Sequence, residues 1–224
     1  MSLNINAADS VIVFDLDDTL YSEFDYKVSG IHAVCAQLAE LYPQYSATDL
    51  LALLDTHKSD WLDRLCRHCG LNDAEKASLL WHYRLHRPAI RPYMPSENLS
   101  ALIQRFAASA LISDGRSLTQ HLKLKALGLS GCFDHILISE AFASEKPQPE
   151  RFDFIRKQYP GKTWIYIGDN IKKDFVTPNN QGWLTIGLKA SANNIHQHDA
   201  ADFPATHQPR CWINDLTEIK DLLC

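Results

Sequence analysis

The residues with the clearest capacity for chemistry are carboxylates that follow a short apolar segment near the start of the chain. The segment Ser10–Phe14 is mostly apolar and β-branched, and Asp15, Asp17 and Thr19 come soon after it. A short run that is apolar throughout is typical of a buried strand in a parallel sheet. Open α/β sheets bind their ligands at the carboxyl ends of such strands. We therefore expect Asp15 and Asp17 to belong to a site rather than only to cap a helix.

Three further polar clusters follow later predicted strands or lie in the loops after them. They are Ser113-Asp114-Gly115, Lys146-Pro147, and Asp169 with Asp174. Loops at the carboxyl ends of parallel strands converge on one edge of a sheet, so we expect the four clusters to share a site. Phosphoryl transfer needs a nucleophile, a proton donor, a hard cation and hydrogen-bond donors to the phosphate oxygens. The clusters contain residue types suited to each of these tasks.

The carboxylates are candidates for two tasks, metal binding and the chemical reaction, and Asp15 is a candidate for both. Gathered carboxylates repel one another unless a cation joins them, and oxygen ligands favour Mg²⁺, so Asp15 and Asp169 are candidate metal ligands. Asp15 is also a candidate nucleophile, because the metal and Lys146 can together offset the repulsion between two anions. Asp17, two residues on, suits general acid–base work.

Phosphate binding is predicted at the second and third clusters. Ser113 and the backbone N–H groups that follow it, beginning with that of Asp114, can hold phosphate oxygens. Lys146 supplies a point charge. Taken alone, Ser113-Asp114-Gly115 is more often a simple turn and Lys146 an exposed lysine, so these assignments depend on the ordered set.

The remaining chain predicts the elements that position these residues. After Pro92, strands predicted at 107–113, 135–139, 163–167 and 183–188 alternate with helices, and a closing helix is predicted at 213–223. Repeated strand–helix units imply right-handed crossovers and a parallel sheet with helices on both faces. Between the first cluster and Pro92, helical spacing of apolar residues predicts helices at 28–41, 47–54, 59–69 and 73–86.

In order and spacing, the four clusters resemble the four signature motifs of the haloacid dehalogenase (HAD) superfamily. The matching segments are DLDDTL at 15–20, LISDG at 111–115, EKPQP at 145–149 and GDN at 168–170 with the later Asp174. The resemblance implies an α/β, Rossmann-like core and an aspartyl-phosphate intermediate on Asp15. It also implies that Asp17 acts first as acid and then as base, and that its backbone carbonyl contacts the metal.

The same resemblance extends to the other site residues. It implies that Ser113 and Lys146 bind phosphate, that Asp169 ligates Mg²⁺, and that Asp174 supports the metal site. Asp174 could instead cap the helix that it precedes.

The helical insertion is similar to the family's helical cap, a domain that closes over the core site and excludes water. We therefore predict an all-helical cap at 21–92 and a core formed by 1–20 and 93–224. Candidate substrate contacts in or near the cap are Tyr21, Tyr26, Arg84 and Arg87. For the two arginines, a solvated cationic helix end is the competing interpretation.

Composition limits the other possibilities. The net charge is −5 and no dense Lys/Arg block is present, so nucleic-acid binding is not expected. Apolar runs are far shorter than the roughly 20 residues of a membrane span, and the start of the chain lacks signal-peptide features, so we expect a cytoplasmic protein. Cys66 and Cys69 are interpreted as thiols on a helix face rather than zinc ligands, and His196 and His198 as surface residues.

These features predict a Mg²⁺-dependent phosphohydrolase that acts on a small phosphomonoester, such as a sugar phosphate or a nucleotide monophosphate. The dehalogenases of the superfamily usually lack an acid–base residue at the position of Asp17, so its presence favours phosphate esters. A phosphotransferase or phosphomutase of the same superfamily is the first alternative. A non-catalytic phospho-ligand-binding protein is the second, and the presence of both Asp15 and Asp17 argues against it.

Overall fold

The computed structural model describes residues 4–190, 194 and 200–224. The chain divides into two compact units. One unit runs up to Glu23 and resumes at Arg91, and the other is Phe24–Ile90. The boundaries predicted from the sequence, and the role of the second unit as a cap, stay predictions.

The first unit contains a parallel sheet that, within the described residues, has six strands in the order β3-β2-β1-β4-β5-β6. The strands are β1 (Ser10–Phe14), β2 (Ala108–Ser113), β3 (His135–Ile138), β4 (Thr163–Gly168), β5 (Leu184–Leu188) and β6 (Cys211–Ile213). Every residue of β1 and β2 is buried, as expected where helices cover both faces of a parallel sheet. The predicted Rossmann-like α/β core is confirmed.

Strand β1 lies at the point where the strand order reverses. Phe14 at its end pairs with Leu111 of β2 on one side and with Ile167 of β4 on the other. The chain passes from β1 to β2 and β3, and then returns to add β4 on the opposite side of β1. Loops after strands separate at such a reversal and leave a crevice for a ligand.

The helices alternate with the strands in the first unit and make up the second. They are α1 (Glu23–Leu41), α2 (Ala47–Ala52), α3 (Trp61–Cys69), α4 (Asp73–Leu85), α5 (Ser96–Ile103), α6 (Ser117–Ala126), α7 (Ser139–Phe142), α8 (Glu150–Gln158) and α9 (Val176–Asn180). In the first unit, Phe152 and Ile155 of α8 belong to one apolar cluster with Val13 of β1 and Tyr166 of β4. This packing holds the central strands in place beneath their terminal loops.

The second unit is helical, and its helix ends follow the sequence signals. Asn72 caps α4 by accepting hydrogen bonds from the backbone N–H groups of Ala74 and Glu75, and the Glu75 side chain accepts one from Asn72 N at 2.8 Å. Gly70 ends α3 with φ of +67°, a conformation that glycine adopts without steric cost. In α3, Cys66 is buried and Cys69 is partly exposed.

The predicted closing helix at 213–223 is wrong at its start. Cys211–Ile213 is the edge strand β6, which pairs in parallel with β5, and Leu216–Leu222 forms a 3₁₀ helix. A strand of three residues is too short to show an alternation pattern, so the sequence pattern does not separate β6 from the helix that follows it. His196 and His198 lie outside the described residues. Within the part of the chain that the structure describes, we find no helix with the length and apolarity needed to span a membrane.

Candidate active site

Asp15 lies at the carboxyl end of the central strand. Its backbone N–H donates to the carbonyl oxygen of Ile167 at 2.8 Å, which continues the β1–β4 pairing by one residue. Its side chain is almost fully buried and lies 2.8 Å from the ammonium group of Lys146. Burial raises the pKa of Asp15 to about 7; Lys146 opposes this shift and Asp174 adds to it. Burial therefore dominates the pKa of this carboxylate, and the neighbouring charges of Lys146 and Asp174 modify it in opposite directions.

The turn after β1 contains a residue with an unusual backbone conformation. Asp18 has φ of +54°, a left-handed conformation that Asp tolerates better than most residues. Its side chain accepts a hydrogen bond from the backbone N–H of Glu23 at 2.8 Å, at the first residue of α1. This bond satisfies one of the donors that the start of a helix leaves open.

Lys146 links two of the predicted clusters. Its side chain is fully buried, with Nζ 2.8 Å from Asp15 and 2.7 Å from Asp174, and it donates to the Tyr166 hydroxyl at 3.1 Å. Burial disfavours the charged form, but the two carboxylates outweigh this and raise the pKa of Lys146 well above its usual value. A permanent positive charge is thus held beside the candidate nucleophile.

Three carboxylates form a candidate metal centre. One oxygen from each of Asp15, Asp169 and Asp174 lies within 4.8 Å of the others. Burial, followed by the nearby charges of Asp174 and Asp15, raises the pKa of Asp169 well above its usual value. Such a set is costly to ionise without a cation, and its oxygen-only donors fit Mg²⁺. The backbone N–H of Asn170 donates to Asp174 at 2.8 Å, and the Thr19 hydroxyl donates to Asp169 at 3.1 Å.

Asp17 is surrounded by donors from elsewhere in the first unit. The ammonium group of Lys123 lies 2.7 Å from one carboxylate oxygen, and the amide nitrogen of Gln120 donates to the other at 2.8 Å. The Tyr21 hydroxyl also donates to Asp17. Burial raises the pKa of Asp17, but Lys123, Tyr21 and Gln120 outweigh it, so the net pKa is lowered. Tyr21 is fully buried, and its role as a substrate contact stays a prediction.

The Ser113-Asp114-Gly115 cluster is hydrogen-bonded to the Lys146-Pro147 cluster. Ser113, the last residue of β2, is fully buried, and its hydroxyl accepts a hydrogen bond from Gln120 at 2.6 Å. Asp114 accepts bonds from the backbone N–H of Lys146 at 3.1 Å, from Lys173 at 2.9 Å and from the buried Arg151. Burial raises the pKa of Asp114, but these cations outweigh it and lower the pKa to about 2. The Asp114 carboxylate therefore binds other groups of the protein. The backbone N–H of Asp114, rather than its side chain, stays the predicted phosphate donor.

Several of the predicted site residues line one cavity of about 90 Å³. The described residues that line it are Asp15, Asp17, Asp18, Glu23, Asp114, Asp169, Asn170 and Lys173. Four of the predicted site residues therefore share one cavity. The buried Lys146 lies 2.8 Å from Asp15, and an oxygen of the buried Asp174 lies within 4.8 Å of an oxygen of Asp15 and of Asp169. Burial, with a further contribution from Asp17, raises the pKa of Glu23 to about 7.

The candidate substrate contacts of the second unit have partners within that unit. Tyr26 is buried, and its hydroxyl donates to the backbone carbonyl groups of Tyr83 and Arg84 at 3.4 and 3.3 Å. The guanidinium of Arg84 lies over the Trp81 ring, 5.1 Å from its centroid, and Arg87 is exposed. Contact of Tyr26, Arg84 and Arg87 with a substrate stays a prediction.

Several polar residues at or beside the site were not predicted from the sequence; one is Glu23 in the cavity lining, and four others contact the predicted site residues. These four are Gln120, Lys123, Arg151 and Lys173. A signal existed for Gln120 and Lys123, because their spacing puts them on the same side of α6 as Leu124, where an amphipathic helix carries apolar residues.

The family model described as haloacid dehalogenase-like hydrolase matches residues 12–188. The match spans all four clusters and most of the chain. The chain belongs to this family of hydrolases, and the resemblance seen in the motifs is confirmed.

Individual relatives agree with this assignment. The chain is 24% identical to the glyceraldehyde 3-phosphate phosphatase of Methanocaldococcus jannaschii, over 95% of this chain and 96% of the relative. It is 28% identical to the pyrimidine 5'-nucleotidase YjjG of Escherichia coli, over 59% of this chain and 57% of the relative. The crystal structure of the HAD-hydrolase YfnB from Bacillus subtilis, bound to magnesium, superposes with a TM-score of 0.65 at 19% identity, covering 96% of this chain and 98% of that one. This last likeness shows the fold alone.

Proposed function

We propose that this protein is a Mg²⁺-dependent phosphatase that hydrolyses a small phosphomonoester through a phosphorylated Asp15. The arrangement of Asp15 carries the proposal: its carboxylate lies 2.8 Å from Lys146 and within a cluster with Asp169 and Asp174. Asp17 follows two residues later in the same cavity. Relatives named as phosphatases support hydrolysis of phosphoesters.

In the first step, a carboxylate oxygen of Asp15 attacks phosphorus and forms an acyl phosphate. The bond between phosphorus and the leaving oxygen breaks, and that oxygen takes the electron pair and a proton from the protonated form of Asp17, a form that the lowered pKa of this residue disfavours before substrate binds. The positive charge of Lys146 offsets the repulsion between the carboxylate and the phosphoryl group. Ser113 and the backbone N–H of Asp114 hold the phosphoryl oxygens.

In the second step, Asp17 accepts a proton from a water molecule as that water attacks the phosphorus of the acyl phosphate. The bond between phosphorus and Asp15 breaks, which restores the carboxylate and releases inorganic phosphate. The deprotonated Asp17 left by the first step is the form that the second step needs, so one residue serves both.

Asp15, Asp169 and Asp174, with the backbone carbonyl of Asp17, would hold the metal ion. When bound, Mg²⁺ supplies positive charge to the carboxylates and to the phosphoryl oxygens. The magnesium bound to YfnB supports this part of the proposal.

The proposed substrate is a small, soluble phosphomonoester such as a sugar phosphate or a nucleotide monophosphate. The names of the relatives support both classes, since they include a glyceraldehyde 3-phosphate phosphatase, a pyrimidine 5'-nucleotidase and the mouse N-acylneuraminate-9-phosphatase. Tyr26, Arg84 and Arg87 are proposed to contact the part of the substrate beyond the phosphate. We place the enzyme in the cytoplasm and propose no role in binding nucleic acid.

The proposal is tested by release of inorganic phosphate from a panel of phosphomonoesters, with Mg²⁺ and with a chelator in its place. We expect release that requires Mg²⁺ and is lost in Asp15→Asn, while Asp9→Asn, a change at an exposed surface carboxylate, retains it. Unchanged turnover by Asp15→Asn would overturn the assignment of the nucleophile. A folded wild-type protein that releases phosphate from none of the esters would overturn the proposed function.

A further inference from the structure

Helix α6 buries two polar side chains on the face where an amphipathic helix carries apolar ones. Gln120 and Lys123 are 1% and 4% exposed, similar to Leu124 of the same helix at 1% and to Leu127, directly after it, at 3%. A buried lysine is costly unless its charge is paired and its donors are used. The positions of these two side chains therefore call for a specific explanation.

Both side chains are directed at the carboxylate of Asp17. Lys123 Nζ lies 2.7 Å from Oδ1, and Gln120 Nε2 donates to Oδ2 at 2.8 Å, so each carboxylate oxygen has its own donor. Residues three apart on a helix share one face, which is how both reach the same carboxylate. Two donors on two oxygens fix the plane of the carboxylate as well as its position.

Gln120 also connects Asp17 to the phosphate-binding cluster. Its amide nitrogen lies 2.6 Å from the Ser113 hydroxyl oxygen and 3.1 Å from the backbone carbonyl oxygen of Asp114. Gly115, which follows, leaves room for this side chain, since a Cβ there would lie 3.1 Å from Cδ of Gln120. One buried amide thus contacts both the residue proposed to move a proton and the residues proposed to hold phosphate.

We propose that Gln120 and Lys123 are positioning residues that orient Asp17 for proton transfer to the leaving oxygen of the substrate. The inference rests on the proposed function and adds two residues to its site. Proton transfer requires the carboxylate within hydrogen-bond reach of the leaving oxygen, and a misplacement of about 1 Å can lower a rate by about 10²-fold. The Tyr21 hydroxyl also donates to Asp17, so removing Gln120 or Lys123 leaves the carboxylate held by fewer donors and less well oriented.

The competing role is purely structural: Lys123 could serve only to balance a buried negative charge. The two roles differ in how they depend on the leaving group. An alkoxide leaving group needs a proton in the transition state, whereas p-nitrophenolate leaves readily without one. A loss of positioning therefore affects alkyl phosphates more than p-nitrophenyl phosphate, and a general loss of structure affects both alike.

The experiment compares kcat/KM for p-nitrophenyl phosphate and for glycerol phosphate, because this constant covers the step in which the leaving group departs. The variants are Lys123→Met and Gln120→Met, with Lys125→Met on the exposed face of α6 as the matched control. For each α6 variant we expect kcat/KM for glycerol phosphate to fall about 10–100-fold more than that for p-nitrophenyl phosphate. The control should leave the ratio unchanged.

The outcomes separate this inference from the proposed function. Equal losses on the two esters, or no loss in either variant, would overturn the positioning role while leaving the phosphatase assignment intact. A folded wild type without activity on any ester overturns the assignment and this inference with it. Because Gln120→Met removes only a neutral side chain, it tests the inference even where Lys123→Met does not fold, and circular dichroism checks the folding of each variant.

Discussion

At the scale of single residues, the site contains carboxylates whose environments move their pKa values in opposite directions. Burial dominates at Asp15, whose pKa rises to about 7, whereas nearby cations dominate at Asp114, whose pKa falls to about 2. Both side chains belong to the same cavity. At Asp15 burial outweighs the nearby Lys146, whereas at Asp114 the cations outweigh burial, so the balance between burial and neighbouring charge sets the ionisation of each group.

The lowered pKa of Asp114 predicts a pH-dependent contribution to stability. The native pKa of about 2 lies below the ordinary value of 3.8, so the contribution is present above about pH 4 and is lost as pH falls toward 2. We expect Asp114→Asn to lower the free energy of unfolding by about 2 kcal/mol at pH 6. The difference from wild type should shrink to about half by pH 3.

Urea unfolding at a series of pH values measures this difference. Asp9→Asn is the matched control, because its carboxylate is 70% exposed in an ion pair with Lys162, and exposed pairs contribute about 0–1 kcal/mol. A difference between wild type and Asp114→Asn that stays constant from pH 6 to pH 3 would contradict the role given to Lys146, Lys173 and Arg151.

At the scale of elements, the end of β4 is shaped to admit a carboxylate. A Cβ on Gly168 would lie 2.5 Å from Oδ2 of Asp174, which is closer than real atoms approach. Asp174 in turn accepts from the backbone N–H of Asn170 and pairs with Lys146. The glycine therefore lets the loop fold back so that Asp174 reaches the cluster.

Gly168→Ala is expected to displace Asp174 and to lower kcat for phosphoester hydrolysis at least about 10-fold, since small misplacements at a reacting centre are costly. The matched control is Gly131→Ala, where a Cβ meets no atom within 4 Å, and its kcat should equal that of wild type. Steady-state kinetics at saturating substrate and Mg²⁺ measures both. Full activity in Gly168→Ala would mean that the position of Asp174 has little influence on the reaction.

Some strands and helices of this fold can be predicted from the sequence, and others cannot. Strands such as β1 and β2 were predictable, because apolar runs ended by turn residues leave few alternatives, and the capping box at Asn72 marked the start of α4. Strand β6 was not, since three residues at a sheet edge are specified by their pairing with β5 rather than by a pattern of their own. Gln120 and Lys123 are 103 and 106 positions away from Asp17 in the sequence. Local sequence patterns do not predict contacts between residues so far apart.

The cluster around Asp15 was predictable for a different reason. Parallel strands bring their carboxyl ends to one edge, so topology alone placed Asp15, Asp169 and Lys146 together. The roles of these residues in catalysis stay predictions.

At the scale of the whole molecule, the carboxylate cluster predicts that Mg²⁺ stabilises the folded protein. A ligand that binds only the native state adds about 2.7 kcal/mol at 100 times its dissociation constant, which raises Tm by about 5–10 °C for a chain of this size. Thermal unfolding followed by circular dichroism, with Mg²⁺ and with a chelator, measures the shift. Asp169→Asn should lose it, whereas Asp153→Asn, on α8 outside the cluster, should keep it. An equal shift in both variants would place the metal elsewhere.

The central place of β1 has a consequence for the order of events during synthesis. Its two partner strands leave the ribosome roughly 100 and 150 residues after it, so these pairings are among the most distant in the chain. At roughly 5–20 residues per second, a strand that is apolar on both faces waits about 5–20 s for its first neighbour. During this interval the nascent chain carries an apolar strand without either of its two sheet partners. A chain truncated before β4 would keep Asp15 but lack Asp169 and Asp174, two of the three carboxylates of the candidate metal centre.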